Sequence, residues 1–127
     1  MISDVEIFAR RLQHVYIPYQ LYGRDRAQGF DCEGFVRWMF AQGGRVLPEG
    51  QGPFLRAFMR VPQPYQPWDV PMFRIRPTWA RHIGVMQDSA WFWHCGLTVH
   101  GVGRCELSRP FWARQFLYML RLRVELC

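Results

Sequence analysis

Three residues of this chain combine type and position in a way that could do covalent chemistry: Cys32, His82 and His94. Cys32 directly follows Asp31, and behind it Phe35, Val36, Met39 and Phe40 recur on one helical face before Gly43-Gly44. That pattern predicts a core-packed helix capped by Asp31, stopped by the glycines, with Cys32 in its first turn. Free N–H groups and the helix dipole at such a start favour a thiolate, the form of cysteine that attacks carbonyls. A lone cysteine there would otherwise read as a small core residue. The two histidines shift that balance. They fall in consecutive strand candidates, residues 82–87 and 90–95, around Gln87-Asp88-Ser89. A hairpin symmetric about Asp88 sets Met86 opposite Ala90, Gly84 opposite Phe92 and His82 opposite His94. Directly opposed side chains have Cβ atoms roughly 4.5–5.5 Å apart, so the two imidazoles would touch. One ring could then act as base while the other holds it. A one-residue slip would part them onto opposite faces, and the pair alone reads equally well as two hydrogen-bonded sheet histidines. Gly84 is expected to leave open space beside His82.

These residues need elements to position them. Ser3-x-x-Glu6 reads as a capping box, and Val5, Phe8, Leu12 and Val15 at helical spacing predict a helix over residues 4–16, stopping before Pro18. Residues 18–30 read as a loop punctuated by Gly23 and Gly29. A short helical piece is expected at 54–60. Pro62, Pro64, Pro67 and Pro71 mark an extended connector between two halves of one domain. Strands are expected at 70–75, 82–87, 90–95 and 97–102. The alternation of Phe116, Tyr118, Leu120, Leu122 and Val124 predicts a last, half-buried strand. Residues 108–112 read as a turn or short helix. Helices first and an antiparallel sheet afterwards is an α+β layout. Trp91 and Trp93 would share the sheet face opposite the histidines, where core packing is the default reading and glycan stacking the lesser one. His14 and His100 lack a motif and are expected at the surface.

Composition bounds the function classes. The chain has 127 residues, 50% hydrophobic and 17% aromatic. That suits one domain, 1–127, and excludes disorder along most of the chain. No apolar run approaches the length of a membrane span, and the acidic, polar start lacks a secretory signal. The net charge is +6, and all 16 basic residues are arginine. An anionic partner or simply a soluble basic surface fits that charge; no nucleic-acid motif is visible. Cys32, Cys95, Cys105 and Cys127 form no C-x-x-C pair, so neither a zinc site nor, without a secretory context, a disulfide framework is expected. No metal or cofactor is implied.

The chain resembles the NlpC-type cell-wall peptidases, papain-like enzymes of bacteria and phages. Their nucleophile motif Asp-Cys-Ser-Gly is matched by Asp31-Cys32-Glu33-Gly34, and their His-Val-Gly-Ile by His82-Ile83-Gly84-Val85. Their third residue, in a Phe-Ile-His-Ala context twelve positions on, is matched by Phe92-Trp93-His94-Cys95. Pro18-Tyr19 is similar to the family's Pro-Tyr, Trp68-Asp69-Val70 to its Gly-Asp-Val, and Pro110-Phe111-Trp112-Ala113-Arg114 fits its ending. The likeness runs over nearly the whole chain. It implies a papain-like α+β fold and a cysteine endopeptidase acting on peptidoglycan stem peptides, between D-glutamate and a diamino acid. In it Cys32 attacks, His82 is base and then acid, and His94 orients His82. The Cys32 N–H, with the Tyr19 hydroxyl, holds the oxyanion.

Glu33 in place of serine, Cys95 in place of alanine and Trp68 in place of glycine are departures that bear on substrate preference. Glu33 could meet a free amine of the stem peptide, or simply complement the helix dipole. The short length and missing signal resemble the phage-tail branch most, which implies a protein made in the cytoplasm and carried in a virion tail, with other tail proteins as partners. Three alternatives stay open: a non-catalytic tail assembly protein, an antibacterial thiol amidase, and an acyltransferase of the lecithin-retinol type. The last places its histidine before the cysteine, unlike this chain.

Overall fold

The structure is a computed structural model, and it describes residues 4–13, 17–25, 29–75, 80–96 and 101–123. Ser3 of the expected capping box, His14, His100, Val124, Cys127 and the 97–100 part of one expected strand lie outside the described residues.

Helix α1 (Asp4–Gln13) buries Val5 and Leu12 at the spacing that called for it, together with Ala9, and Glu6 and Arg10 are paired on its outer side. Two short strands, β1 (Arg24–Asp25) and β2 (Gly29–Phe30), form a small ribbon that leads into α2 (Cys32–Gln42). The cap is as expected: Asp31 Oδ1 accepts the Gly34 N–H at 2.7 Å. Its other oxygen accepts the Tyr22 N–H at 3.1 Å, tying the loop to the helix start. Phe35, Val36, Met39 and Phe40 are all buried.

The short helix after it differs from expectation. Helix α3 (Gln51–Arg56) ends early, and Phe58–Val61 form a strand, β3, on the edge of a sheet. Met119 to Leu122 of the last strand offer this segment a complete antiparallel ladder, which a further helical turn would forgo. Strand β4 (Val70–Ile75) falls where expected and is buried on both faces over Val70–Phe73, as a central strand should be. The expected strand at 82–87 is two: β5 (Ala80–Ile83) pairs with β4, and β6 (Val85–Met86) pairs with β7 (Trp91–Gly96). Strand β8 (Gly101–Glu106) runs four residues past the expected end and pairs along β7. A one-turn helix α4 (Pro110–Ala113) and β9 (Phe116–Leu122) complete the chain.

The strands form two antiparallel sheets, in the orders β3-β9-β4-β5 and β6-β7-β8, which meet at the Gly84 corner. Helix α2 packs on β5 and β7, so its first turn lies where the two sheets join. The main core fills the space between α1, α2 and the sheets; a second cluster of Phe73, Met86, Phe92, Trp112 and Met119 lies behind β5 and β7. The α+β expectation, helices first and antiparallel sheets after, therefore holds. Among the described residues no helix is long and apolar enough to cross a membrane.

Candidate active site

The packing of α2 on β5 places Cys32 against the strand that carries His82. Its sulfur sits near the backbone N–H of Ile83, the residue next to His82, and near that of Glu33, both of which favour its charged form. Gly34, two positions on, has no room for a side chain, because a Cβ there would strike the Gly23 carbonyl. The glycine of the Asp-Cys-x-Gly pattern thus lets the preceding loop close over the helix start.

His82 Nε2 lies 2.8 Å from His94 Nδ1, with the two rings perpendicular. The sequence brought this pair together by a different register. Val85 stands opposite Trp93 and Met86 opposite Phe92, two residues away from the expected pairing. His82 itself lies on β5, beyond the Gly84 corner and outside this pairing, so the corner sets its ring against His94. His82 consequently lies against Gly96, not directly opposite His94. A Cβ on Gly96 would come within 3.2 Å of both His82 Cε1 and His94 Nδ1. Gly84 leaves no open space beside His82, contrary to expectation: a Cβ there would sit 2.6 Å from the Trp93 carbonyl. Gly96 is the glycine that makes room for the histidine pair.

Burial governs the protonation of the site. It pushes the Cys32 thiol up to about 11, against the pull of the Ile83 and Glu33 N–H groups and with the Asp31 and Glu33 charges adding to the rise. The helix start therefore does not leave a thiolate at rest, as the capping argument alone suggested; desolvation outweighs it. Burial brings His82 down to about 4. His94, fully buried, is held well below the usual imidazole range by burial and then by the neighbouring His82. At neutral pH the Cys32 thiol and both imidazoles are therefore uncharged.

Tyr19 is half-buried at the same place. Burial first, then the charges of Cys32, Asp31 and Cys95, raise its phenol. Cys95 is fully buried and donates its S–H to the Phe30 carbonyl at 3.3 Å; burial, then Cys32 and Asp31, push it up to about 12. Glu33 Oε2 is ion-paired with Arg24 at 2.7 Å and with Arg37 at 3.1 Å along the outer edge of α2. Trp93 is buried, as expected, and its indole N–H donates to Gln87; Trp91 is half-buried beneath the Arg104 guanidinium.

Sequence reasoning missed two residues here. Trp112 of α4 stacks on His82 at 5.7 Å between ring centres and meets His94 edge-on at 4.9 Å. Cys105 Sγ lies 3.4 Å from His94 Nε2. Trp112 stood only in the ending Pro110 to Arg114, and Cys105 lay beyond the strand expected at 97–102, so no local signal pointed to either. The Trp68-Asp69-Val70 segment has a structural role: Asp69, 1% exposed, takes a two-pronged ion pair from Arg121 at 2.8 and 2.9 Å. Trp68 has a left-handed backbone, φ 77°, a region that favours glycine, while its ring packs on Phe40 and Phe8. The described residues hold no cluster of His, Cys, Asp and Glu that could bind a metal ion.

The chain is similar in structure to an NLP/P60-family protein, described as similar to a lipoprotein, from Staphylococcus aureus, with 22% identity and a TM-score of 0.76. That match covers 94% of this chain and 41% of the other, so the chain spans about two fifths of its length. The NlpC/p60 domain of the peptidoglycan hydrolase SagA matches with 22% identity and TM-score 0.66, over 95% of this chain and 100% of that one. The peptidoglycan hydrolase RipB from Mycobacterium tuberculosis matches with 22% identity and TM-score 0.63, over 95% and 64%. A comparison with curated proteins gave no significant match. Residues 17–121, which carry Tyr19, Cys32, His82 and His94, match the NlpC/P60 family model, and the chain belongs to the NlpC/P60 family.

Proposed function

We propose that this chain forms a single domain, 1–127, that acts as a cysteine endopeptidase on the stem peptides of bacterial peptidoglycan. The observation that carries the reading is Cys32 at the capped start of α2, a helix packed on the strand that carries His82, with His82 Nε2 facing His94. Because His94 engages Nε2, Nδ1 is the nitrogen of His82 left to exchange a proton with the thiol. Family membership and the peptidoglycan hydrolases among its structural neighbours support the substrate class.

The steps follow from the protonation states. The thiol proton passes to His82 Nδ1 as sulfur attacks the scissile carbonyl carbon, since neither group is charged at rest. The oxyanion is held by the Cys32 N–H, with the Tyr19 hydroxyl beside it. His82 then protonates the leaving amine, and a thioester remains on Cys32. Water, deprotonated by His82, cleaves that thioester and returns the thiol. His94 keeps the His82 ring in place and shares the positive charge that builds on it.

The finer reading is cleavage between D-glutamate and a diamino acid, in a phage or prophage tail. It rests on the sequence resemblance alone. Digestion of purified peptidoglycan, with mass spectrometry of the fragments, tests both bond and activity: new amino ends on the diamino acid are expected, and none with Cys32→Ala. Equal products from wild type and Cys32→Ala would overturn the peptidase reading. Peptide mapping of purified virions tests the tail setting.

A further inference from the structure

The histidine pair does not end at His94. Strand β8 runs antiparallel to β7 with Cys105 opposite Phe92 and Gly103 opposite His94, so Cys105 lies diagonally from His94 on the same sheet face. Its sulfur is 3.4 Å from His94 Nε2, and the Trp112 ring packs edge-on against that imidazole. His82, His94 and Cys105 therefore form an unbroken row of polar side chains.

Such a row has two polarities. In one, Cys105 donates its S–H to His94 Nε2, the His94 hydrogen sits on Nδ1 and points at His82 Nε2, and the His82 hydrogen is forced onto Nδ1. That His82 cannot accept a proton from a thiol. In the other, His82 Nε2–H donates to His94 Nδ1 and His94 Nε2–H donates to the Cys105 sulfur. Only this polarity leaves His82 Nδ1 bare. We propose that Cys105 is a positioning residue: its sulfur accepts the Nε2 hydrogen of His94 and so sets the ring polarity that leaves His82 competent as a base. The inference rests on the peptidase reading for its consequence, but not for its geometry.

Two measurements test it. The first needs no activity: nitrogen chemical shifts of His94 in the wild-type protein at neutral pH should show a protonated Nε2 and a bare Nδ1, and the reverse pattern would overturn the proposal. The second is kinetic, on peptidoglycan fragments. Cys105→Ala should lower kcat by about tenfold or more with KM unchanged, by analogy with other outer partners that fix a histidine tautomer. Cys105→Ser, which keeps an acceptor oxygen, should recover most of the lost kcat, as a purely packing role would not require. Unchanged kcat in a folded Cys105→Ala protein would overturn the proposal. If the wild type turned over no peptidoglycan, the peptidase reading would fall while the nitrogen shifts still decided the role of Cys105.

Discussion

His82 Nε2 and His94 Nδ1 lie 2.8 Å apart although the strands that carry them are not hydrogen-bonded to each other. The contact is made across the Gly84 corner, with Gly96 leaving the space for both rings. The roles of the two rings separate kinetically. His82→Ala should lower kcat by about 10²–10⁴-fold, the usual worth of a positioned base. His94→Ala should leave measurable turnover with unchanged substrate affinity. Equal losses from both would mean that His94 does more than orient its neighbour.

Gly96→Ala probes the same contact from outside the pair. The added methyl would sit 3.2 Å from both rings, and the rings can give way only by parting. Turnover should fall while the Tm changes little, and a structure of the variant should show the nitrogen–nitrogen distance lengthened.

The pH dependence follows from burial. His82 accepts a proton only while neutral, and it stays neutral down to about 4. The acid limb of kcat/KM is therefore expected near that value, well below an ordinary imidazole at ~6.5. Stability moves in the same sense. Below about 6.5 the unfolded chain protonates both histidines while the folded protein resists, so stability declines as the pH falls from 7 towards 4. Thermal unfolding across that range should show a shallower decline in His82→Asn and His94→Asn, each of which removes one of these groups.

The alkylation of Cys32 gives an independent reading. With the thiol pushed up to about 11, labelling by iodoacetamide without substrate should keep accelerating beyond pH 9. A plateau near the ordinary ~8.5 would contradict that burial. Peptide mapping should find Cys95 unmodified in the native protein, since it is fully buried.

Asp69 and Arg121 hold the turn before β4 to the last strand, with Asp69 at 1% exposure and both of its oxygens engaged. Arg121→Ala would leave a buried carboxylate uncompensated. A loss of about 3 kcal/mol is expected in denaturant unfolding, at the low end for a buried pair because the guanidinium side is partly solvated. Asp69→Asn with Arg121→Met should cost less than the two single changes together.

Glu33 is already committed to Arg24 and Arg37. Glu33→Gln should therefore slow free-amine and N-acetylated stem peptides alike, and lower stability by no more than about 1 kcal/mol, the range of exposed pairs. A loss confined to free-amine substrates would place Glu33 in the substrate site instead.

The parts of this protein that sequence determined are those written within a few residues. The Asp31 cap, the buried face from Phe35 to Phe40, the glycine at position 34 and the doubly buried strand from Val70 were all legible, because caps and periodicities depend on neighbours one to four positions away. The twelve-residue spacing that marks His82 and His94 as a pair was legible too, though the corner across which they meet was not. Tertiary structure decided the rest. The register of β7, the strand made by Phe58–Val61 and the placing of Cys105 and Trp112 behind His94 depend on which distant segment offers a ladder or a surface. The protonation of Cys32 was decided there as well: the local signal favoured a thiolate, and the sheets packed against the helix start removed the water that a thiolate needs.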